Sequence, residues 1–357
     1  MDALEALYEK PPVSHHFHDR KVSISRANTL LLGPRGSGKT ALMLEYLSTL
    51  EAGSFLYVDL HDLRLNLSTL SSSLEAFCHH YPITLLAVDN YSPALSLPEH
   101  VPLLLSTTDT TLRHKKLEVL WVDMLDFEEF IAFSKRTLSS EHLFNLYANH
   151  GRSPVSAMQE ETPLLHHLQT TLKLELEEEQ LVALFIKLAL FQSRPLSLHH
   201  LYTTLKPTMK LSKDTLYSAS ALFQARGLLH LVPKYDAPKT PKKVYFNDFA
   251  LKNALTFEKD FLRRFENIVF CELIKRRTEV FYTPRVDFYL PQTKEALACI
   301  PFLPPELILR RFSGMISHLK ELGAHTLTVL SVGNEGGGEK EGVRCEILPF
   351  WEWALQN

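Results

Sequence analysis

Eight consecutive residues, Gly33-Pro34-Arg35-Gly36-Ser37-Gly38-Lys39-Thr40, constrain this chain more than any other stretch. They fit the pattern G-x-x-x-x-G-K-[ST] at every fixed position. Residues 28–32 before them read as a buried strand, and residues 41–47 after them read as a helix with an apolar face. Strand, glycine-rich loop and helix in that order are what phosphate binding requires. Glycines at 33, 36 and 38 let successive backbone N–H groups turn inward toward phosphate oxygens, and the helix N-terminus adds partial positive charge. Lys39 is then the group that reaches the β- and γ-phosphates, and the Thr40 hydroxyl is the group that ligates Mg²⁺. The alternative, a glycine-rich turn before an ordinary helix, does not account for the full pattern in this context. The expected ligand is a nucleoside triphosphate. ATP is favoured over GTP because no Asn-Lys-x-Asp guanine-reading pattern is present.

Composition sets the frame for this site. With 357 residues, 45% hydrophobic and 22% charged, the chain has the make-up of an ordinary globular protein and room for two or three domains of ~100–200 residues. A formal net charge of -3 gives no sign of a polyanion partner for the whole molecule, although a local basic surface stays compatible with it. The histidines are scattered. His15, His16 and His18 form the densest group, and such a run near an N-terminus reads as a solvated segment, so no metal is expected there. Cys78, Cys271, Cys299 and Cys345 share no C-x-x-C spacing, which suggests neither zinc nor a disulfide framework and fits a reducing compartment. The start Met1-Asp2-Ala3-Leu4-Glu5 is acidic where a signal peptide is basic, and no apolar run approaches the ~18 residues of a spanning helix. A cytoplasmic protein with no membrane partner is expected.

In chain order, residues 1–27 read as a strap lying on a nucleotide domain. Residues 54–59 read as the second parallel strand and 67–78 as a Leu- and Ser-rich helix. Residues 83–90 form an apolar strand ending in Asp89-Asn90. An acid at the carboxyl end of such a strand can hold Mg²⁺ through water, which makes Asp89 the metal-side candidate; the bland alternative is a cap on the next turn. Many ATPases follow this Asp with a Glu that polarises the attacking water. Here Asn90 follows, and an amide orients water by hydrogen bonding but accepts no proton. Residues 101–109 give a fourth strand ending in hydroxyls, with Thr107 and Thr108 as candidates to sit beside the γ-phosphate. Residues 117–122 give a fifth, leading into the acidic-aromatic helix 126–133. Alternating strands and helices argue a parallel, helix-covered sheet. Arg113 is read either as a finger reaching a neighbouring subunit's γ-phosphate in an oligomer or as a surface arginine.

Three short segments carry a family resemblance: Gly-Pro-Arg at 33–35, Tyr57-Val58-Asp59-Leu60-His61-Asp62-Leu63-Arg64-Leu65, and Leu125-Asp126-Phe127-Glu128-Glu129-Phe130. They resemble prokaryotic AAA+-related P-loop ATPases that join the ATPase to a winged-helix segment and a restriction-endonuclease-like domain. Lys242-Lys243-Val244-Tyr245-Phe246-Asn247-Asp248, Phe265-Glu266-Asn267-Ile268-Val269 and Arg285-Val286-Asp287-Phe288 are similar to further motifs of that family, so the resemblance covers nearly the whole chain. It implies an α/β P-loop domain at 28–160 after the 1–27 strap, a winged-helix module at 161–250 and an α/β nuclease-like domain at 251–357.

Residues 164–232 read as helical. A helix opens at 175–180 and runs through Phe191, a second begins at Ser197, and Ser212 caps a third from Lys213 to Arg226, stopped by Gly227. Residues 228–232 then pair with 243–246 as the wing. The third helix offers Lys213, Asp214, Tyr217, Ser220 and Gln224 as its exposed face, and Lys234, Lys239, Lys242 and Lys243 of the wing make a better phosphate-contact stripe for duplex DNA. A packing module that only positions its neighbours is the alternative. In the last domain, Asp287 and Glu266 stand where the family's two metal-binding acids are expected, but Ala298 and Ile300 occupy the family's Glu-x-Lys positions. Neither side chain binds metal or carries charge, so nuclease activity is expected to be absent. Lys294 and Glu295 lie off the register, on the wrong face. The glycines at 336–338 read as a flexible hairpin tip, without the Lys-Ser/Thr of a second phosphate loop. Two functions fit: a slow Mg-dependent ATPase associated with DNA, or a nucleotide-controlled switch read by a protein partner.

Overall fold

The computed structural model describes residues 3–12, 18–158 and 164–356; His15 and His16 fall outside them. The chain forms two compact units. The first comprises residues up to Met124 together with Ala225–Gly227, and the second Leu125–Gln224 together with residues from Leu228 on.

In the first unit the elements are α1 (Ala3–Glu9), β1 (Thr29–Leu32), α2 (Lys39–Ser48), β2 (Phe55–Asp59), α3 (Leu67–His80), β3 (Leu85–Asp89), β4 (Leu103–Thr107) and β5 (Glu118–Trp121). The strands pair in the order β2-β3-β4-β1-β5, every neighbour parallel. Their sequences are near-continuous apolar runs because both faces are covered. Leu30, Leu32, Leu56, Val58, Leu86, Val88 and Leu105 pack with Leu70, Leu74 and Phe77 of α3 in one layer. The alternate residues Leu31, Tyr57, Leu85, Ala87 and Leu104 pack with Leu42, Met43 and Leu47 of α2 in the other. The register pairs Leu32 with Thr107 and Asp59 with Asp89, which gathers the acids and hydroxyls at the carboxyl edge of the sheet beside the loop that follows β1.

The second unit begins with α4 (Phe127–Ser134), whose Asp126 cap and Glu129 form a capping box. It continues through α5 (Ser140–His150), α6 (Pro154–Met158), α7 (Leu164–Leu176), α8 (Glu179–Ala189), β6 (Pro195–Leu196), α9 (Leu198–Leu205), α10 (Lys213–Ala225, its last residue in the first unit), β7 (Leu229–Val232) and β8 (Lys242–Phe246). The sheet β6-β8-β7 is antiparallel. After α11 (Leu251–Leu255) and α12 (Phe261–Leu273) come β9 (Phe288–Leu290), β10 (Glu295–Cys299), α13 (Pro305–Ser313), α14 (Ile316–Glu321), β11 (Thr326–Ser331), β12 (Gly336–Lys340), β13 (Val343–Pro349) and α15 (Phe350–Leu355). These strands form a mixed sheet, β12-β13-β11-β10-β9, parallel at its centre and antiparallel at both edges.

Two expectations are corrected here. The helix expected to open at 175–180 is divided: α7 ends at Leu176, Glu177 turns left-handed (φ 57°), and α8 starts at Glu179. The glycines at 336–338 are not a hairpin tip but lie in edge strand β12, paired with β13. The turn falls at Glu341-Gly342, both with positive φ (55° and 76°), as a two-residue hairpin connection requires. Gly337 fits the strand because a Cβ there would come within 2.8 Å of the Cys345 carbonyl oxygen.

Candidate nucleotide site

The loop 33–40 links β1 to α2 and needs its glycines for separate reasons. A Cβ on Gly33 would lie 2.1 Å from the Val122 carbonyl oxygen, so the chain beside β5 passes too close for any side chain. Gly36 and Gly38 have φ of 81° and 94°, the left-handed region, which curls the loop and starts α2. Lys39 Nζ lies folded into this curl, donating to the Gly33 and Pro34 carbonyls at 2.8 Å each. The Ser37 hydroxyl is buried and has no hydrogen-bond partner among the described residues, an orphaned polar atom within the loop.

Asp89 at the end of β3 is buried and collects donors from α2, from the strands β2 and β4, and from the backbone of the next residue. Thr40 Oγ1 donates to its Oδ2 at 2.6 Å, and Tyr57 Oη to the same oxygen at 3.1 Å. Ser106 Oγ and the Asn90 amide donate to Oδ1, the latter at 3.1 Å. Burial first, then the Asp89 and Asp59 carboxylates, push the Tyr57 phenol far above its ordinary value, so Tyr57 stays a donor. β4 lies between β1 and β3, yet the Thr40–Asp89 contact closes across it.

Asn90 does not face the loop as a free amide. It adopts φ 54° and donates through Nδ2 to Asp59 Oδ1 at 2.8 Å. Asn is among the few residues that take this backbone state readily. Thr107 is buried at the end of β4, and its Oγ1 accepts from the Asp109 amide at 3.2 Å. Thr108 Oγ1 accepts from Arg226 Nη1 at 2.7 Å, while a Cβ on neighbouring Gly227 would contact Pro34 of the loop at 3.5 Å. Arg20 bridges the loop from the other side, donating to the Ser37 carbonyl at 2.6 Å and the Asp123 carbonyl at 2.7 Å. Ser106, Arg20 and Arg226 thus join the site although no motif marks them, and so do Tyr57 and Asp59, which the sequence marks through the 57–65 segment without giving them a role at the site. Asp59 carried a further signal, as an acid ending a strand like Asp89. Arg113 donates to the Thr110 and Leu112 carbonyls, lies 5.7 Å over the Trp121 ring, and lines an open cleft of about 660 Å³ together with Asn28, Tyr91 and His100.

The donor set fits a triphosphate with Mg²⁺: a glycine cradle, a lysine, an orphaned hydroxyl, and a threonine hydroxyl touching a buried carboxylate. No family model and no curated protein matches the chain. Among solved structures it is similar to a Walker-type ATPase of Pyrococcus abyssi, at 13% identity over 64% of this chain and 90% of that one, with a TM-score of 0.43. It is also similar to a RuvB variant of Thermotoga maritima, at 18% identity over 58% of this chain and 82% of that one, TM-score 0.31. A signal-transduction ATPase with a tetratricopeptide-repeat sensor from Pyrococcus horikoshii matches at 12% identity over 88% of this chain and 53% of its own length, TM-score 0.26.

The second unit holds a separate acidic constellation. Lys243 Nζ lies 2.7 Å from Glu266 Oε1 and 3.3 Å from Asp287 Oδ1, and Tyr245 Oη donates to Glu266 at 2.6 Å. Arg263 reaches the other Glu266 oxygen at 3.2 Å, and the Cys299 amide donates to Asp287 Oδ2 at 2.8 Å. Burial opposes a charge on Lys243, but the two carboxylates outweigh it and raise its pKa, so the ammonium is held charged between them. Ala298 packs in the core beside Asp287, and Glu295 pairs across from Leu290 with its carboxylate near Arg276. Two surface expectations are corrected. Lys243 is buried in this ion cluster, since strand alternation turns it away from its exposed neighbour Lys242, so it is no phosphate contact. Ser220 is buried on the face that α10 shares with Leu216, Ala219 and Phe223, so it leaves the exposed set of that helix. Among the described residues, no helix is long and apolar enough to cross a membrane.

Proposed function

We propose that this chain is an ATP-binding, Mg²⁺-dependent P-loop ATPase of low turnover that couples its nucleotide state to a partner. The observation that carries the reading is the Thr40–Asp89 contact at 2.6 Å beside a loop whose Gly36 and Gly38 adopt left-handed φ. In this reading the loop amides and Lys39 hold the β- and γ-phosphates, Ser37 Oγ gains a phosphate partner, and Thr40 with Asp89 holds Mg²⁺. The ion neutralises charge on the transferring phosphate. Low turnover follows from position 90, where a neutral amide is already engaged by Asp59 and no carboxylate is offered to an attacking water. Arg226 joins Thr108 as a reporter of whether the γ-phosphate is present.

The helices α8 to α10 with the β6-β8-β7 sheet are read as a winged helix, and the mixed sheet with α12 as a nuclease-like domain that has lost its chemistry. Support for that loss is the Lys243 ammonium between Glu266 and Asp287. With Lys243 turned inward and Ser220 buried, the basic stripe shrinks to Lys234, Lys239 and Lys242. That favours the second reading, a switch read by a protein partner, over association with duplex DNA. One experiment tests both: ATP binding and turnover by wild type and Lys39→Ala, with and without duplex DNA at low salt. Binding lost in Lys39→Ala supports the nucleotide site, and unchanged binding overturns it. Turnover stimulated by DNA selects the DNA-associated form, and indifference to DNA selects the protein switch.

A further inference from the structure

We propose that Glu75, His79 and His100 form a transition-metal site on the first unit, separate from the nucleotide loop. Glu75 and His79 stand one helical turn apart on α3, and His100 comes from the segment that leads into β4. Glu75 Oε1 lies 3.3 Å from His79 Nε2 and 3.0 Å from His100 Nδ1, and all three donor atoms lie within 4.8 Å of one another. Around a tetrahedral ion with metal–nitrogen and metal–oxygen bonds of about 2.0–2.2 Å, donor atoms are separated by ~3.3–3.5 Å. The 3.3 Å separation matches such an edge, and the 3.0 Å one lies within a small side-chain adjustment of it. The imidazole rings stack at 3.7 Å with 11° between planes, which presents both ring nitrogens to the same carboxylate oxygen.

The backbone around the three ligands is already fixed, so little ordering is needed to bind. Leu74, Phe77 and Cys78 anchor the end of α3 in the core, Pro98 and Val101 are buried on either side of His100, and the Ser96 amide approaches Ser71 Oγ of α3 at 3.4 Å. The ligand heads themselves remain open to solvent, which lets an ion enter without any opening of the fold and leaves coordination positions for water. Two imidazoles and one carboxylate select Zn²⁺, Co²⁺, Ni²⁺ or Cu²⁺ rather than Mg²⁺ or Ca²⁺, which prefer all-oxygen sets. The site sits toward the amino edge of the sheet, at the opposite end from the phosphate loop, because α3 runs back against the strands before β3 begins. A bound ion would tie α3 to the start of β4.

The test uses the untagged full chain carrying His15→Gln, His16→Gln and His18→Gln, which removes the other dense histidine group of the sequence. After dialysis against chelator, the protein is titrated with Co²⁺, followed by visible absorption, and with Zn²⁺ by calorimetry. The expected result is one equivalent of each ion. His79→Gln, His100→Gln and Glu75→Gln should each weaken binding at least tenfold, and His80→Gln, one residue away, should leave it unchanged. All four variants should keep the wild-type melting temperature without metal, since the side chains are exposed. Less than one equivalent bound, or binding that survives His100→Gln, overturns the proposal.

Discussion

Replacing Asn90 with Glu would restore the acid that many ATPases carry after the strand-end Asp, yet the geometry says that it should unfold the site. Residue 90 has φ 54°, and its amide donates to the Asp59 carboxylate at 2.8 Å. A Glu in the left-handed region costs about 1 kcal/mol. Losing a hydrogen bond to a charged acceptor costs ~1.5–3 kcal/mol, toward the lower end for a half-buried group. A third carboxylate beside Asp59 and Asp89 adds repulsion of roughly 1 kcal/mol after solvent screening. The sum is about 4 kcal/mol, which in a unit of this size lowers the melting temperature by roughly 10–15 °C. Asn90→Gly keeps the backbone state and loses only the amide bond, so it should cost no more than about 2 kcal/mol. Urea unfolding of wild type, Asn90→Gly and Asn90→Glu, followed by circular dichroism, separates the terms. Asn90→Glu as stable as wild type, or Asn90→Gly equally damaged, would refute the reasoning, and so would faster ATP hydrolysis by a fully folded Asn90→Glu.

Lys243→Met leaves Glu266 buried beside Asp287 without its ammonium. It should lower stability by ~3–5 kcal/mol in urea unfolding, and adding Glu266→Gln should recover part of that loss. Gly33→Ala sets a methyl group 2.1 Å from the Val122 carbonyl, so a cost of about 2 kcal/mol or more and a displaced phosphate loop are expected, read as lost ATP affinity. Burial first, and the Asp126 carboxylate second, push the Glu272 carboxyl from 4.5 up to about 7. The folded state therefore holds that proton more tightly. Stability from this group is complete below pH 4.5 and falls as pH rises toward 7, by roughly 3 kcal/mol in total. Glu272→Gln should flatten the profile of unfolding free energy between pH 4.5 and 7, and an unchanged slope contradicts the assignment.

What was legible in the sequence was whatever depends on neighbours along the chain. The phosphate loop, the apolar runs of β1 to β5 and the Ser212 cap of α10, whose Oγ accepts from the Thr215 amide at 3.0 Å, are local features. The alternation along β10 is another, and it sets Ala298 beside Asp287. What was not legible depends on partners brought together by pairing. In Lys242-Lys243 nothing local says which lysine faces inward; that is decided by Glu266, 23 residues on, and Asp287, 44 residues on. Ser220 reads as polar, but its position on the Leu216, Ala219 and Phe223 face buries it. The glycines at 336–338 lack the side chains that mark strands, and only pairing with β13 makes them one. Arg226 ends a helix in the sequence and meets Thr108, 118 residues away, in the fold.

The two acidic centres differ in what already satisfies them, and in the proposed reading that difference sets which one takes a cation. Glu266 and Asp287 share an internal ammonium, and every carboxylate oxygen has a donor from Lys243, Tyr245, Arg263 or the Cys299 amide. A divalent ion would have to expel a buried lysine whose charge those same acids hold in place. Asp89 is held by neutral donors alone among its contacts with Thr40, Tyr57, Ser106 and the Asn90 amide. The Thr40 hydroxyl spends its one proton on Asp89, which leaves its lone pairs open to an ion without breaking that bond. None of these four contacts brings a positive charge to Asp89. In the proposed reading a cation brought in with the phosphates would supply that charge, whereas Glu266 and Asp287 already have Lys243 and Arg263.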